Sequence, residues 1–114
     1  MKNKDETKNK VIQFLETFNN NIGKTLHFRE ALCTNKENFD RHFTTFSSTQ
    51  FVLTYFGARI SGARIMFEGE FLNYEISVDR IYSFEENENI IIFLEKYSEE
   101  IYRKTILNII NEGN

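Results

Sequence analysis

Between Phe51 and Phe71 apolar residues recur with period two on both sides of Ser61-Gly62, and no other stretch restricts the fold as much. Its centre reads GARISGARI, Gly57 to Ile65. A two-residue turn at Ser61-Gly62 sets Val52 opposite Phe71, Thr54 opposite Gly69, Phe56 opposite Phe67, Ala58 opposite Ile65 and Ile60 opposite Ala63. All but Thr54 are apolar or small, so these pairs read as one face of a hairpin turned to a core. The other face then carries Arg59 opposite Arg64, Tyr55 opposite Glu68 and Leu53 opposite Glu70. A three-residue loop would instead put Arg59 on the face of Ile65 and Phe67. Patterning therefore selects the two-residue turn, of type I′.

Around this hairpin the periodicity assigns the rest. Val11, Leu15, Phe18 and Ile22 recur at helical spacing, flanked by Ile12 and Phe14, and Gly23 follows as a left-handed stop. Thr34 to Glu37 has the spacing of a capping box, and Phe39, Phe43 and Phe46 follow it, so a short helix is expected near residues 35–45. Tyr74 to Tyr82 reads as a third strand, with Ile76 inward, and Ile90 to Leu94 as a fourth beyond the acidic turn Glu85 to Asn89. Ser98 reads as an N-cap with Glu99 and Glu100 in the first turn of a C-terminal helix, whose apolar face is Ile101, Tyr102, Ile106, Ile109 and Ile110. Residues 1–8 are polar and read as a disordered tail, and 9–114 as a single domain. The fold class expected is α+β: an antiparallel four-stranded β-meander packed against N-terminal and C-terminal helices, with a short helix between. Phe56, Phe67, Ile65, Ile76, Ile92, Leu15, Phe18, Ile106 and Ile109 are its expected core.

Composition narrows the function classes. With 114 residues, 40% of them hydrophobic, the chain can bury one core without cross-links, and its single cysteine precludes an internal disulfide and suits a reducing compartment. The N-terminal stretch has charge without an apolar segment, and no run approaches membrane-spanning length, so the chain is read as cytoplasmic. A net charge of −3 argues against general attraction to nucleic acid. The absence of proline and tryptophan beside many Asn, Lys, Ile and Phe fits an AT-rich coding sequence.

No catalytic constellation stands out, and the chain is read as a non-enzyme with no cofactor. His27, Cys33 and His42 match no zinc spacing, and Gly57, Gly62 and Gly69 form no phosphate loop. Ile76 to Phe84 with Ile90 to Leu94 resembles the central hairpin of LytTR-type DNA-binding domains in strand patterning alone; that family's basic loops have no counterpart here, and no residue is carried over.

What remains is a surface. Arg59 and Arg64 side by side need a negative group between them, either a glutamate of the same chain or a group on a partner. With Tyr55, Glu68, Glu70, Glu75, Asp79 and Arg80 they form the expected partner-binding set on the outward face of the sheet. The chain is thus read as a small protein-binding factor, an inhibitor or accessory protein of a phage or mobile element of the anti-CRISPR or other anti-defence kind, occluding a larger protein, possible partners including a nucleic-acid-binding effector. Self-association through Phe51, Leu53, Tyr55 and Leu72 is expected as well, giving a homodimer. The alternative is a nucleic-acid-binding regulator using Arg59, Arg64, Arg80 and the lysines Lys2, Lys4, Lys8 and Lys10.

Overall fold

The computed structural model describes residues 4–34, 43–59 and 63–110. Helix α1 (Lys4–Thr17) runs into a 3-10 turn at Phe18–Asn21, and the chain then makes β1 (Thr25–Cys33), β2 (Phe43–Val52), β3 (Tyr55–Arg59), β4 (Arg64–Glu68) and β5 (Asn73–Ser77). A second 3-10 turn, Val78–Arg80, leads to β6 (Ile81–Asn87), β7 (Ile90–Ser98) and β8 (Ile101–Ile110). Five strands form one antiparallel sheet in the order β2-β1-β8-β7-β6, and three form another in the order β3-β4-β5. The small sheet is thus an excursion of the chain between β2 and β6.

The hairpin register follows the sequence pattern. Tyr55 pairs with Glu68, Phe56 with Phe67, Gly57 with Met66, Ala58 with Ile65 and Arg59 with Arg64. Ala63, the residue before β4, has left-handed φ of 47°. Residues Ile60, Ser61 and Gly62 lie outside the described residues, and the type I′ assignment with them. Gly23 takes the left-handed φ expected of a residue that stops a helix, at 97°.

Elsewhere the expected architecture is corrected. Instead of one four-stranded meander there are two antiparallel sheets, of five and three strands. The expected C-terminal helix is β8, and Ser98 is no N-cap: it pairs with Ile101 across a turn at Glu99-Glu100, its Oγ accepting the Glu100 N–H at 3.2 Å. Tyr102, Thr105, Leu107 and Ile109 are buried along that strand, and its β-branched residues favour the extended backbone. The short helix expected near 35–45 is not formed at its end, since Phe43 already opens β2; residues 35–42 lie outside the described residues. The expected third strand is split, β5 ending at Ser77 in one sheet and β6 starting at Ile81 in the other. Val52 and Phe71 are both exposed instead of forming a core pair, while Leu53, expected outward, is completely buried. There the chain crosses between sheets, and the Leu53 N–H donates to the Lys24 carbonyl while its own carbonyl accepts from Gly23.

The core fills the wedge between the sheets with aromatic rings. The small sheet contributes Phe56, Ile65, Phe67 and Ile76, and the large one Leu26, Phe28, Phe84, Ile91, Phe93, Leu107 and Ile109. Expected core residues Ile92 and Ile106 face the other side of the large sheet, one residue out of phase with buried Ile91 and Leu107. Helix α1 closes the wedge. Phe14 lies 5.7 Å from Phe56 on the small sheet and 5.5 Å from both Phe84 and Phe93 on the large one, measured between ring centres. These edge-on contacts each add about 0.5–1.5 kcal/mol beyond burial. Val11 and Phe18 complete the buried stripe, Leu15 packs at its margin and Ile22 is exposed. Among the described residues no helix is long and apolar enough to cross a membrane.

Because Phe14 is buried against both sheets, Phe14→Ala should cost about 3–5 kcal/mol. Ile12→Ala, two residues away and 42% exposed, should stay within about 0.5 kcal/mol. Urea denaturation of the two variants checks which face the helix buries; equal losses would mean that α1 is docked in another orientation.

Candidate interaction surface

The small sheet turns its second face outward, and pairing fixes what that face carries. Across β3, β4 and β5 the rows are Tyr55–Glu68–Asn73, Gly57–Met66–Glu75 and Arg59–Arg64–Ser77. The Arg64 Nε stands 3.6 Å from the Glu75 Oε1, whose other oxygen accepts from Asn73 Nδ2 at 3.2 Å. A glutamate of the same chain therefore sits beside one member of the arginine pair. Both groups are partly exposed, so this ion pair contributes at most about 1 kcal/mol. Arg59 is placed by backbone register only. Tyr55 is 47% exposed, and its phenol lies over Gly57, where an added Cβ would come within 2.5 Å of the Tyr55 Oη. Glycine at 57 lets this ring lie along the strand.

Beyond the first row the β4–β5 connection closes with the Gly69 N–H donating to the Leu72 carbonyl at 2.8 Å. This leaves Glu70 and Phe71 at the tip. Phe71 is 94% exposed. It borders an open groove of about 630 Å³ lined by Gln50, Phe51, Val52, Thr54, Glu70 and Leu72. Gly69 permits this closeness, since a Cβ there would run into the Phe51 ring and the Val52 carbonyl.

The expected site residues thus divide. Tyr55, Arg59, Arg64, Glu68 and Glu75 share one face, and Glu70 stands at its edge on the hairpin tip. Asp79 and Arg80 do not join them: they occupy the 3-10 turn between the sheets, and the Arg80 guanidinium lies 5.1 Å from the centre of the Tyr97 ring. The basis for self-association also changes, because Leu53 is buried and Phe51 stacks on Phe28 at 5.3 Å.

His27 lies on the large sheet, its Nε2 2.7 Å from Ser48 Oγ, and Cys33 is buried against Tyr102. His42 lies outside the described residues. Among the described residues no three His, Cys, Asp or Glu side chains are grouped to hold a metal.

The densest polar cluster is one that sequence patterning did not single out. Arg103 on β8 donates from Nε to Glu95 Oε1 at 2.7 Å, from one terminal nitrogen to Glu30 Oε2 at 2.8 Å and from the other to the Glu75 carbonyl at 2.6 Å. Its guanidinium also lies 5.1 Å from the Tyr74 ring centre. Glu95 is fully buried, and its second oxygen accepts the Ser77 N–H at 2.9 Å and the Tyr97 hydroxyl at 2.8 Å. Tyr74 Oη and Thr105 Oγ1 are 2.6 Å apart. Every polar atom of the Glu95 carboxylate is thereby satisfied, as a buried charge requires. Burial pushes the Tyr74 phenol well above its ordinary value, against the Arg103 charge that draws it down. Burial also raises the Tyr97 phenol, with its bond to Glu95 acting in the same sense. The signal was present in Ile91, Phe93 and Glu95, which alternate on the inward face of β7. A carboxylate continuing an apolar row needs a buried cation, and Arg103 directly opposite supplies it.

No protein-family model, curated protein or solved structure matches the chain.

A raised tyrosine pKa fixes a sign. The unfolded chain releases the Tyr74 proton near the ordinary value of 10.0 while the folded chain retains it. Stability is therefore full below about pH 10 and falls as pH rises above it. Tyr74→Phe should flatten that fall relative to the parent in urea melts at pH 8, 10 and 11. Parallel curves for both proteins would show that the phenol ionises as freely when folded as when unfolded.

Proposed function

We propose that the chain is a small, non-catalytic, cytoplasmic protein-binding factor that docks on a larger protein through the outer face of the three-stranded sheet and the β4–β5 tip. The observation that carries this reading is Phe71. A phenylalanine 94% exposed forgoes roughly 1.5–3 kcal/mol of burial in the isolated chain, which docking into an apolar pocket would recover. Large aromatic anchors ringed by polar groups are the usual centres of binding energy at protein interfaces. Tyr55 stands in the adjoining row, also half-exposed, and Glu68, Glu70, Glu75 and Arg64 surround the pair with charge. The surface suits an apolar pocket with a mainly basic rim.

Such a factor acts by occlusion, as an inhibitor or accessory protein of a phage or mobile element does, including the anti-CRISPR and other anti-defence kinds. The net charge of −3 is compatible with a target that itself holds nucleic acid through basic surfaces. The nucleic-acid-binding alternative gains little support: Arg64 is beside Glu75, and Arg80 belongs to a different part of the molecule.

Phe71→Ala and Tyr55→Ala should leave the thermal midpoint nearly unchanged. Each should weaken partner binding by about 2 kcal/mol or more, and Arg59→Ala with Arg64→Ala should weaken it further. Affinity purification with tagged parent and variants, read by mass spectrometry and nucleic-acid staining, checks this. A stoichiometric protein retained by the parent and lost with Phe71→Ala supports the reading. Co-purified nucleic acid, or equal retention by all variants, overturns it.

A further inference from the structure

The two sheets have four edges, and three of them are protected in the ways that keep strands from pairing with other chains. The outer edge β6 carries exposed Glu85 and Glu86 and a register irregularity between Ile81 and Ser83. On the small sheet, β3 is five residues long with Gly57 at its centre and Arg59 at its end, and β5 is equally short, carries Glu75 and breaks into the 3-10 turn. The fourth edge differs. Strand β2, FTTFSSTQFV, is ten residues long and contains no charged residue, no proline and no glycine. In a chain with 27% charged residues such a run is unusual, and it falls on an edge.

Among the described residues β2 pairs with β1 alone, and Thr45, Phe46, Ser47 and Ser48 are exposed in succession. From this edge we infer that the chain forms a homodimer in which β2 pairs antiparallel with β2 of a second copy, joining the two five-stranded sheets into one. The argument for a second copy is electrostatic. A two-fold axis sets the residue on it against its own copy and each neighbour against a residue from the same short stretch, so an edge whose charges share one sign, as Glu85 and Glu86 do on β6, opposes like charges, and those are destabilising directly across a strand pair. Two molecules of net charge −3 repel in general, and they meet at least cost where neither carries charge. An axis perpendicular to the sheet keeps each residue on its own face, so either Ser47 or Ser48 lies on it. Phe46, 55% exposed, then stands opposite Ser48 or Gln50 of the other copy. Backbone N–H and C=O groups on the side of β2 away from β1 would supply the bonds, and the small hydroxyl residues permit close approach.

This association is independent of the partner surface on the small sheet, and it is read on the chain alone. Light scattering behind size exclusion should give twice the 13.6 kDa chain mass at tens of micromolar. Placing Lys at both Phe46 and Ser47 should halve that mass while far-ultraviolet circular dichroism and melting midpoint stay those of a folded chain. A second test does not depend on those substitutions folding. Ser47→Cys should cross-link to its own copy with a short bismaleimide, and Glu85→Cys on the opposite edge should not. A parent that runs as a monomer at 100 micromolar, or a dimer that survives both lysines, overturns the inference. So does cross-linking at Glu85→Cys but not at Ser47→Cys. A monomeric parent that takes up a strand from another protein at β2 would also overturn it, by assigning the edge to a different occupant.

Discussion

The Arg103 guanidinium bonds to both sheets at once. Its three hydrogen bonds reach β7 through Glu95, β1 through Glu30 and β5 through the Glu75 carbonyl, and Glu95 in turn accepts from the Ser77 N–H on β5. Apolar contact between sheets tolerates sliding, because burial has no direction. Charge-assisted bonds of 2.6–2.9 Å do not, so this cluster sets where β5 ends and which way the chain turns towards β6. The aromatic wedge supplies most of the stabilisation, and the cluster supplies the angle and register. A buried ion pair used in this way adds little net stability compared with an apolar replacement of equal shape, yet removing one partner is costly.

That division of labour explains the position of the exposed features. The small sheet is anchored by Phe56 and Phe67 against the helix, and by the Tyr74 side chain and the Ser77 backbone N–H against the large sheet. Its outer face is free to carry Tyr55 and the paired arginine positions, and its tip to carry Phe71, because none of them contributes to the wedge. A rigid scaffold with an exposed aromatic anchor loses less entropy on binding than a flexible loop does. The uncharged edge of β2 lies on the other sheet, and only its last residues, Gln50 to Val52, adjoin the groove beside Phe71.

How much of this the sequence disclosed depended on distance along the chain. The β3–β4 register was legible because both strands are adjacent and one face is apolar, so a one-residue slip would have exposed Phe56 and Phe67 together. The N-terminal helix was legible from its period and from Gly23. Strand β8 was not. Ile101, Tyr102, Ile106, Ile109 and Ile110 satisfy helical spacing, and Ser98-Glu99-Glu100 imitates a capped start, but the strand pairs with β1, far back in sequence. Burial on that strand follows Thr105, Leu107 and Ile109, a period of two that the helical reading does not contain. The crossings at Leu53 and at Ser77 were hidden for the same reason: Leu53 bonds to Gly23 and Lys24, and Ser77 to Glu95 on the other sheet, all distant along the chain. At the candidate surface, sequence brought together the arginine pair, Tyr55, Glu68 and Glu75 but missed Phe71, which alternation had assigned to the core.

A double-mutant cycle between Arg103 and Glu95 tests most directly whether this pair is what fixes the two sheets. Urea denaturation of Arg103→Met, Glu95→Gln and the combined variant gives the coupling without reference to any partner. Arg103→Met alone should cost about 3–5 kcal/mol, since it leaves Glu95 buried and deprived of its cation. Adding Glu95→Gln should recover part of that loss, with a coupling of about 1–3 kcal/mol. Additive effects within about 0.5 kcal/mol would contradict the account and leave the aromatic wedge as the sole determinant of how the sheets meet.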